Sequence, residues 1–274
     1  MKLGLGLGIN SGGGASYAAE AKAFITAAGI TDPTQKTAVD YLVKQLKANN
    51  LYSKFSVLYP FVGGSADTHK FNLINPVDSD AAFRIAWSGS VTHNANGIKS
   101  NGTNGYGDTK YNPVAASASL TSFSLGAYKT GIEANGISRA FMGNALNSNP
   151  DDVTTLAWFN AGSKAMGTIA GLNTQYVPSE ANTQAEGMLS ITTNGNRSAR
   201  YYRIGNLIGS PVTQSGNFHN STFYLLAINR AGTAANYALD VIIKLAYVST
   251  GLSDAEMATL HTIITAYQTL LGRD

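Results

Sequence analysis

Apolar residues recur at spacings of three and four near both ends of the chain, and in short β-prone runs through its middle. Met257, Leu260, Ile263, Ile264, Tyr267, Leu270 and Leu271 form one apolar stripe at helical spacing. Ser253 and Glu256 supply a reciprocal capping box before it, and Leu252 and Met257 the two positions of a hydrophobic staple. Gly272 provides a stop that tolerates a left-handed turn. A second stripe, Val39, Leu42, Val43 and Leu46, follows Asp32 as cap, Pro33 in the first turn and Gln35 as a capping-box side chain; Asn49-Asn50 ends it. The Ala-rich stretch from Ser16 to Ala28, with Phe24 and Ile25 as its larger apolar residues, predicts the partner helix. Residues 16–54 therefore read as a helical hairpin and residues 251–274 as a closing helix.

From Phe55 the period changes. Candidate strands are Ser56–Phe61, Lys70–Ile74, Phe83–Ser88, Thr121–Lys129, Arg139–Met142, Thr154–Phe159, Met188–Thr193, Arg200–Ile204, Thr222–Asn229 and Leu239–Val248. Asn-Gly pairs at Asn96, Asn101, Asn104, Asn135 and Asn194, with Gly63-Gly64, Asn75-Pro76 and Asn149-Pro150, punctuate them. Such pairs supply positive φ at little cost, which tight reversals need. About ten short strands so punctuated predict a mainly β sandwich or jelly roll over residues 55–250 rather than a parallel sheet. Ahead of all this, Leu3, Leu5, Leu7 and Ile9 alternate with glycine, as in an extended segment with one apolar face that adds to a partner's sheet edge. Gly6-x-Gly8 has no strand before it and no acidic residue at the ribose-binding distance, so a dinucleotide loop is rejected.

Composition narrows the class. Charged residues make up 13% of the 274, against about 25% in an ordinary domain, so the surface is dressed with Asn, Ser, Thr and Gly. A net charge of +3 without a basic run argues against nucleic acid. The absence of cysteine removes disulfides, thiolate nucleophiles and thiolate metal sites. No apolar run is long enough for a membrane span, and the alternating glycines make a poor signal peptide, so synthesis in a cytoplasm without a cleaved leader is expected.

Seven segments carry a family resemblance: Lys2-Leu3-Gly4-Leu5-Gly6-Leu7-Gly8, the run from Phe24 to Lys36, Tyr59-Pro60-Phe61-Val62-Gly63-Gly64, Thr68-His69-Lys70-Phe71-Asn72-Leu73, Asp80-Ala81-Ala82-Phe83-Arg84, Asn101-Gly102-Thr103-Asn104-Gly105-Tyr106 and Leu252-Ser253-Asp254-Ala255-Glu256. Together they resemble phage virion structural proteins of fibre or decoration type, from phages of Bacteroidetes hosts. The resemblance is dense over residues 1–115 and 239–273 and thin over 130–220. It implies a concanavalin-like (LamG-type) jelly roll, a virion location, other virion proteins as partners and host-surface glycans as ligands. It also implies a homo-oligomer, taken as a trimer, since multivalency raises avidity. Residues 1–15, with Leu3, Leu5, Leu7 and Ile9, would then dock to the particle.

Catalytic chemistry finds little support. His69, His93, His219 and His261 lack metal-ligand spacing and close carboxylate partners in sequence. No strand carries paired acids for glycoside cleavage: Asp151-Asp152 are adjacent and follow a turn signal. No Gly-x-Ser-x-Gly elbow occurs. No cofactor is expected; Ca²⁺ is the one metal considered, with Asp78 and Asp80 at a loop rim as its ligands. For a sugar, exposed aromatics beside polar donors are the useful groups. Trp158 with Arg200, Tyr202 and Arg203 is the patch selected. The expectation is a non-enzymatic virion protein; a stand-alone carbohydrate-binding module or adhesin is the alternative, and a glycan hydrolase comes third.

Overall fold

The computed structural model describes residues 16–131, 139–146, 152–159, 164–171 and 187–273. Helices α1 (Ala19–Ala27) and α2 (Pro33–Ala48) come first, then β1 (Phe55–Tyr59), the short α3 (Ala66–His69), β2 (Ala86–Ser88), β3 (Val91–Asn94), β4 (Gly97–Ser100) and β5 (Tyr106–Asp108). The central strands are β6 (Ser122–Thr130), β7 (Arg139–Ala145), β8 (Val153–Phe159), β9 (Lys164–Gly171), β10 (Gly187–Asn194), β11 (Ser198–Arg203) and β12 (Asn206–Thr213). The chain closes through β13 (Tyr224–Leu225), β14 (Ile228–Arg230), β15 (Thr233–Ala235), β16 (Ile242–Ser249) and α4 (Asp254–Leu270).

These strands form a two-sheet sandwich of the expected concanavalin-like jelly-roll class, with helices at both ends of the chain. The first sheet runs β12-β11-β10-β6-β16-β4-β3, with β1 beside the C-terminal half of β16. The second contains β15, β14, β7, β13, β5 and β2, extended from β7 through β8 to β9. Between the sheets lies one core, including Val57, Phe123, Leu125, Phe141, Ile191, Tyr201, Phe223 and Val248. A second core lies on the other side of the first sheet, where α1, α2 and α4 pack on Phe55, Leu58, Tyr128, Met188, Tyr202, Leu245 and Tyr247.

Local chemistry explains the helices. Asp32 Oδ1 accepts the Gln35 N–H at 2.8 Å, as a cap should. Gln35 does not complete a box: its Oε1 accepts the Gly63 N–H at 2.7 Å, tying α2 to the loop after β1. The box at α4 is complete, with Ser253 Oγ accepting from Glu256 and Glu256 Oε2 accepting from Ser253. The other Glu256 oxygen pairs with Lys54 Nζ at 2.5 Å, fixing the helix start to the start of β1. Met257, Leu260, Ile263, Ile264 and Tyr267 are buried, each contributing about 1.5–3 kcal/mol against the sheet. At Gly272 the chain turns left-handed (φ 64°), and the Arg273 N–H returns to Gln268 O.

Three expected strands come out differently. Lys70–Ile74 is irregular because the buried Asn72 side chain takes a strand's place. Its Oδ1 accepts the Leu58 N–H at 3.0 Å, while its Nδ2 donates to Ser56 O and Ala82 O. The run Phe83–Ser88 becomes a strand only at Ala86, since Phe83 is left-handed (φ 60°) at the end of a 3-10 turn. Thr222–Asn229 splits into β13 and β14, because Leu226 (φ 64°) reverses the chain with its N–H bonded to Phe141 O. The hairpin β3–β4 around Asn96-Gly97, and β5, β9, β12 and β15, were not read as strands from the pattern.

Candidate functional site

The residues selected from sequence do not converge. Trp158 pairs through its backbone with Arg139 and Ala165 in the second sheet, and its side chain lies outside the described residues. Arg200, Tyr202 and Arg203 belong to β11 in the first sheet. Alternation sends Arg200 and Tyr202 to the helix side, where both meet one carboxylate. Asp254 Oδ1 accepts from Arg200 Nη1 at 2.6 Å and from the Tyr202 hydroxyl at 2.7 Å. Burial, aided by Asp254, pushes the Tyr202 phenol up to about 12. Arg203 shares the opposite face of β11 with Tyr201, which is buried in the inter-sheet core. The arginine and tyrosine of the expected patch thus anchor the N-terminus of α4.

Asp78 and Asp80, offered to calcium, hold Arg84 between them instead. Arg84 Nη1 lies 3.0 Å from Asp78 and its Nε 2.9 Å from Asp80, while Lys70 Nζ reaches the other Asp78 oxygen at 2.8 Å. Hydrogen bonds from Lys70 and Arg84 hold the Asp78 carboxyl below the usual range. Leu3, Leu5, Leu7 and Ile9 lie outside the described residues.

The helices α1, α2 and α4 cover the outer face of the first sheet, whereas the outer face of the second is built from β5, β13 and the segment around Tyr237. In β5 a Cβ at Gly107 would meet Trp87 and Ile85, so that position points inward, and Tyr106 and Asp108 point outward. In β13, Leu225 belongs to the inter-sheet core and Tyr224 lies on the opposite side beside Asp108, itself only 7% exposed. Ala238 is likewise internal, which turns Tyr237 outward. The rings of Tyr106 and Tyr224 stack with centroids 4.6 Å apart and planes 24° from parallel; Tyr237 stands 6.3 Å from Tyr106. Asp108 and Lys110 form an ion pair at 2.9 Å next to this row, and Arg139 Nη1 donates to Tyr237 O at 2.7 Å.

The motif Asn101–Tyr106 explains how Tyr106 is held. Asn101 Oδ1 accepts from the N–H groups of Thr103, Asn104 and Gly105, and Asn104 Oδ1 accepts from Ser90. At Gly105 a Cβ would lie 2.1 Å from Ser90 O, so the loop closes only with glycine there. The result is a tight, self-bonded loop delivering Tyr106 to the open face. Tyr106, Tyr224 and Tyr237 were not selected from sequence as binding residues. The signal available was the alternation of Tyr106 with Gly107 and of Tyr224 with Leu225.

The ionisable groups are committed elsewhere. Among the described residues, each carboxylate with a displaced pKa is displaced downward. Glu20 is lowered by its hydrogen bond from Lys47, and Asp254 by those from Tyr202 and Arg200. For Glu256 burial opposes the shift, but Lys54 and Ser253 outweigh it. Burial, with added effects from Asp108 and Tyr106, pushes the Tyr224 phenol up to about 12. His219 meets Ser221 Oγ at 2.8 Å, and His261 packs under the β11–β12 turn at Gly205. His69 and His93 face each other, Nδ1 to Nδ1, at 3.1 Å. That spacing would suit two ligands of one metal, but His69 Nε2 accepts the Gly64 N–H and so bears no proton. A neutral ligand binding through Nδ1 would need one there. Among the described residues no group of three or more His, Asp or Glu is placed to hold a metal ion, and no helix is long and apolar enough to cross a membrane.

No protein-family model matches the sequence, and no curated protein matches it. Among solved structures, the chain is similar to Trypanosoma rangeli sialidase. In the covalent intermediate with 2,3-difluorosialic acid the alignment covers 82% of this chain, at TM-score 0.54 and 15% identity. In the sialic acid complex it covers 83%, at TM-score 0.54 and 16% identity. The chain spans 38% and 39% of the sialidase chain in those two structures. The CBM40 module of Ruminococcus gnavus IT-sialidase aligns over 54% of this chain and 86% of its own, at TM-score 0.41 and 19% identity. The sialidase likeness, at such low identity, is one of fold.

Proposed function

We propose that this chain is a non-catalytic carbohydrate-binding sandwich, with its ligand lying on Tyr106 and Tyr237, and Tyr224 backing Tyr106 from beneath. The observation that carries the reading is the tyrosine row on the outer face of the second sheet, which among the described residues α1, α2 and α4 do not cover and where Tyr106 and Tyr237 are partly exposed. Sugar rings stack on aromatic faces, and neighbouring polar groups orient them. Asp108, Lys110 and the Asn101–Gly105 loop supply such groups here. The non-catalytic part rests on the carboxylates. A glycosidase needs a general acid with a raised pKa, whereas among the described residues the displaced carboxylates are lowered by cations and hydrogen bonds. A phenol nucleophile needs activation, and Tyr224 is shifted the other way.

The test is titration of the full chain with an oligosaccharide panel, sialylated sugars included because the sialidases of similar fold are seen with sialic acid and its analogue. Binding in the millimolar to micromolar range is expected, about −4 to −8 kcal/mol. Tyr106→Ala or Tyr237→Ala should weaken it roughly tenfold, with folding retained. No binding across the panel, or binding untouched by both substitutions, overturns the reading.

The same proposal places the protein on a phage particle as a fibre or decoration subunit, present in several copies. That placement rests on the sequence resemblance, and the geometry is compatible with it. Ser16 is held against α2 by Lys44 and Asp40 anchors Ala18, so the described chain begins on the helical side of the first sheet. Deleting residues 1–15 should leave a folded protein absent from particles. Normal incorporation of the truncated chain, read by mass spectrometry of purified virions, overturns the docking role.

A further inference from the structure

One buried cluster serves neither face. His69 ends α3 and is 1% exposed; His93, in β3, is half-buried against it. Phe61 packs edge-on to His69 at 5.6 Å, and Trp87 edge-on to His93 at 4.6 Å. Trp87 Nε1 donates to Ala66 O, so β2, β3 and the 63–70 loop meet here. The hydrogen bonds fix both tautomers. Since His69 Nε2 accepts the Gly64 N–H at 3.2 Å, the His69 proton is on Nδ1, and it is donated to His93 Nδ1 at 3.1 Å. His93 then carries its own proton on Nε2.

Neither ring has a free site for a second proton. Protonating His93 at Nδ1 sets two N–H groups head to head; protonating His69 at Nε2 does the same against Gly64. The charges facing the pair add to the difficulty. Arg273, 4% exposed, donates through Nη2 to Phe61 O and acts on His69 electrostatically. Lys244 Nζ donates to the Arg273 carbonyl. Lys70, next in sequence, is paired with Asp78 at 2.8 Å, and Asp67 on α3 is 95% exposed. No carboxylate contributes to the shift of either histidine.

We propose that His69 and His93 form an acid-opened latch between the 63–70 loop and the β3–β4 hairpin. At neutral pH the shared proton closes this end of the sandwich; one more proton breaks the bond and places positive charge beside Arg273. Burial lowers the pKa of both rings, that of His69 to about 3 with His93 and Arg273 contributing. The sign follows from linkage. The unfolded histidines take protons near pH 6.5 and the folded ones resist, so stability falls as pH drops below about 6.5.

The experiment compares thermal unfolding of the full chain between pH 7 and pH 5 with that of His93→Asn. The Asn amide oxygen can still accept from His69 Nδ1 but cannot take a proton. The wild type should lose more than the variant over this range, by up to about 5 °C. Parallel curves overturn the latch. Ring-nitrogen NMR of the wild-type chain decides the matter even if the variant does not fold. At pH 7 His69 should be the Nδ1–H tautomer and His93 the Nε2–H tautomer. The opposite assignment, or a His93 midpoint at or above 6.5, also overturns it.

Discussion

The helical layer seals the outer face of the first sheet, and Gly126 measures how tightly. Gly126 sits in β6 opposite Tyr247 of β16 and Ser190 of β10. A Cβ built there would lie 2.1 Å from Tyr247 Cε1 and 2.3 Å from Cζ. The ring has no room to yield. It is fully buried, edge-on to Phe55 at 5.4 Å, with its hydroxyl donating to Ser190 Oγ at 2.8 Å and Met257 of α4 over it. Gly126→Ala should therefore cost about 1–3 kcal/mol of overpacking and about 1 kcal/mol for the displaced hydrogen bond. Less freedom in the unfolded chain returns about 0.4–1 kcal/mol. The net, near 2–3 kcal/mol, corresponds to a fall of about 5–10 °C in a protein of this size. Tyr247→Leu in the same background should recover at least about 1 kcal/mol relative to additivity, since the clash goes with the ring. Urea and thermal unfolding of the four proteins of this cycle supply the numbers. A Gly126→Ala cost below about 0.5 kcal/mol, or additive effects, means that α4 does not clamp Tyr247. The first sheet's outer face would then be open as well, and the reason for preferring the tyrosine row would be gone.

Other outcomes follow from the same contacts. Ser253→Ala should cost about 1 kcal/mol in urea unfolding by removing one half of the α4 capping box. Asp254 is held low by Tyr202 and Arg200, so its contribution is present above the unfolded carboxyl range near pH 4 and is lost as pH falls through the lower folded value. Asp254→Asn should flatten that part of the acid limb in a pH series; an unchanged limb counts against the Arg200–Asp254–Tyr202 contact. Adding millimolar Ca²⁺ should leave the unfolding temperature unmoved, because Asp78 and Asp80 are already held by Lys70 and Arg84; a clear rise would point to a site.

The helices were legible because their signals are local. Ser253 and Glu256 lie three residues apart, and the buried stripe of α4 repeats every three or four. The central strands β6, β10 and β16 were legible for a related reason: long β-prone runs between turn residues leave few alternatives. The failures share a cause as well. Asn72 looks like a residue inside a strand, yet its side chain bonds to Leu58, fourteen positions away, and takes over the role of a backbone partner. Leu226 carries no turn signature, and its left-handed reversal is set by Phe141 across the sheet. Gln35 had the right spacing for a capping box and was drawn off by Gly63. In each case a partner distant in sequence outbids the local preference.

The site was less legible than the fold, since a surface becomes a site only once the other surfaces are covered. In β11 alternation separates Tyr201 from Tyr202 but does not say that both faces end up buried. That follows only when α4 arrives and presents Asp254 to Arg200 and Tyr202. The arginines and tyrosines that look most like sugar contacts on a strand taken alone are therefore consumed in fastening the closing helix. The residues left over, Tyr106, Tyr224 and Tyr237, come from short strands and a bridge whose pairing is long-range. What the chain spends its charge on sharpens the contrast. Few charges are available, and most carboxylates that are paired serve helix ends or loops. Among the described residues the outer face of the second sheet carries mostly neutral rings and amides, with the Asp108–Lys110 pair and Arg139 at its margin. On the proposed reading such a face would recognise a sugar by stacking and directional hydrogen bonds rather than by net charge. Binding to it should accordingly change little between low and high salt, whereas a loss of binding on raising salt would transfer recognition to Arg139 and Lys110.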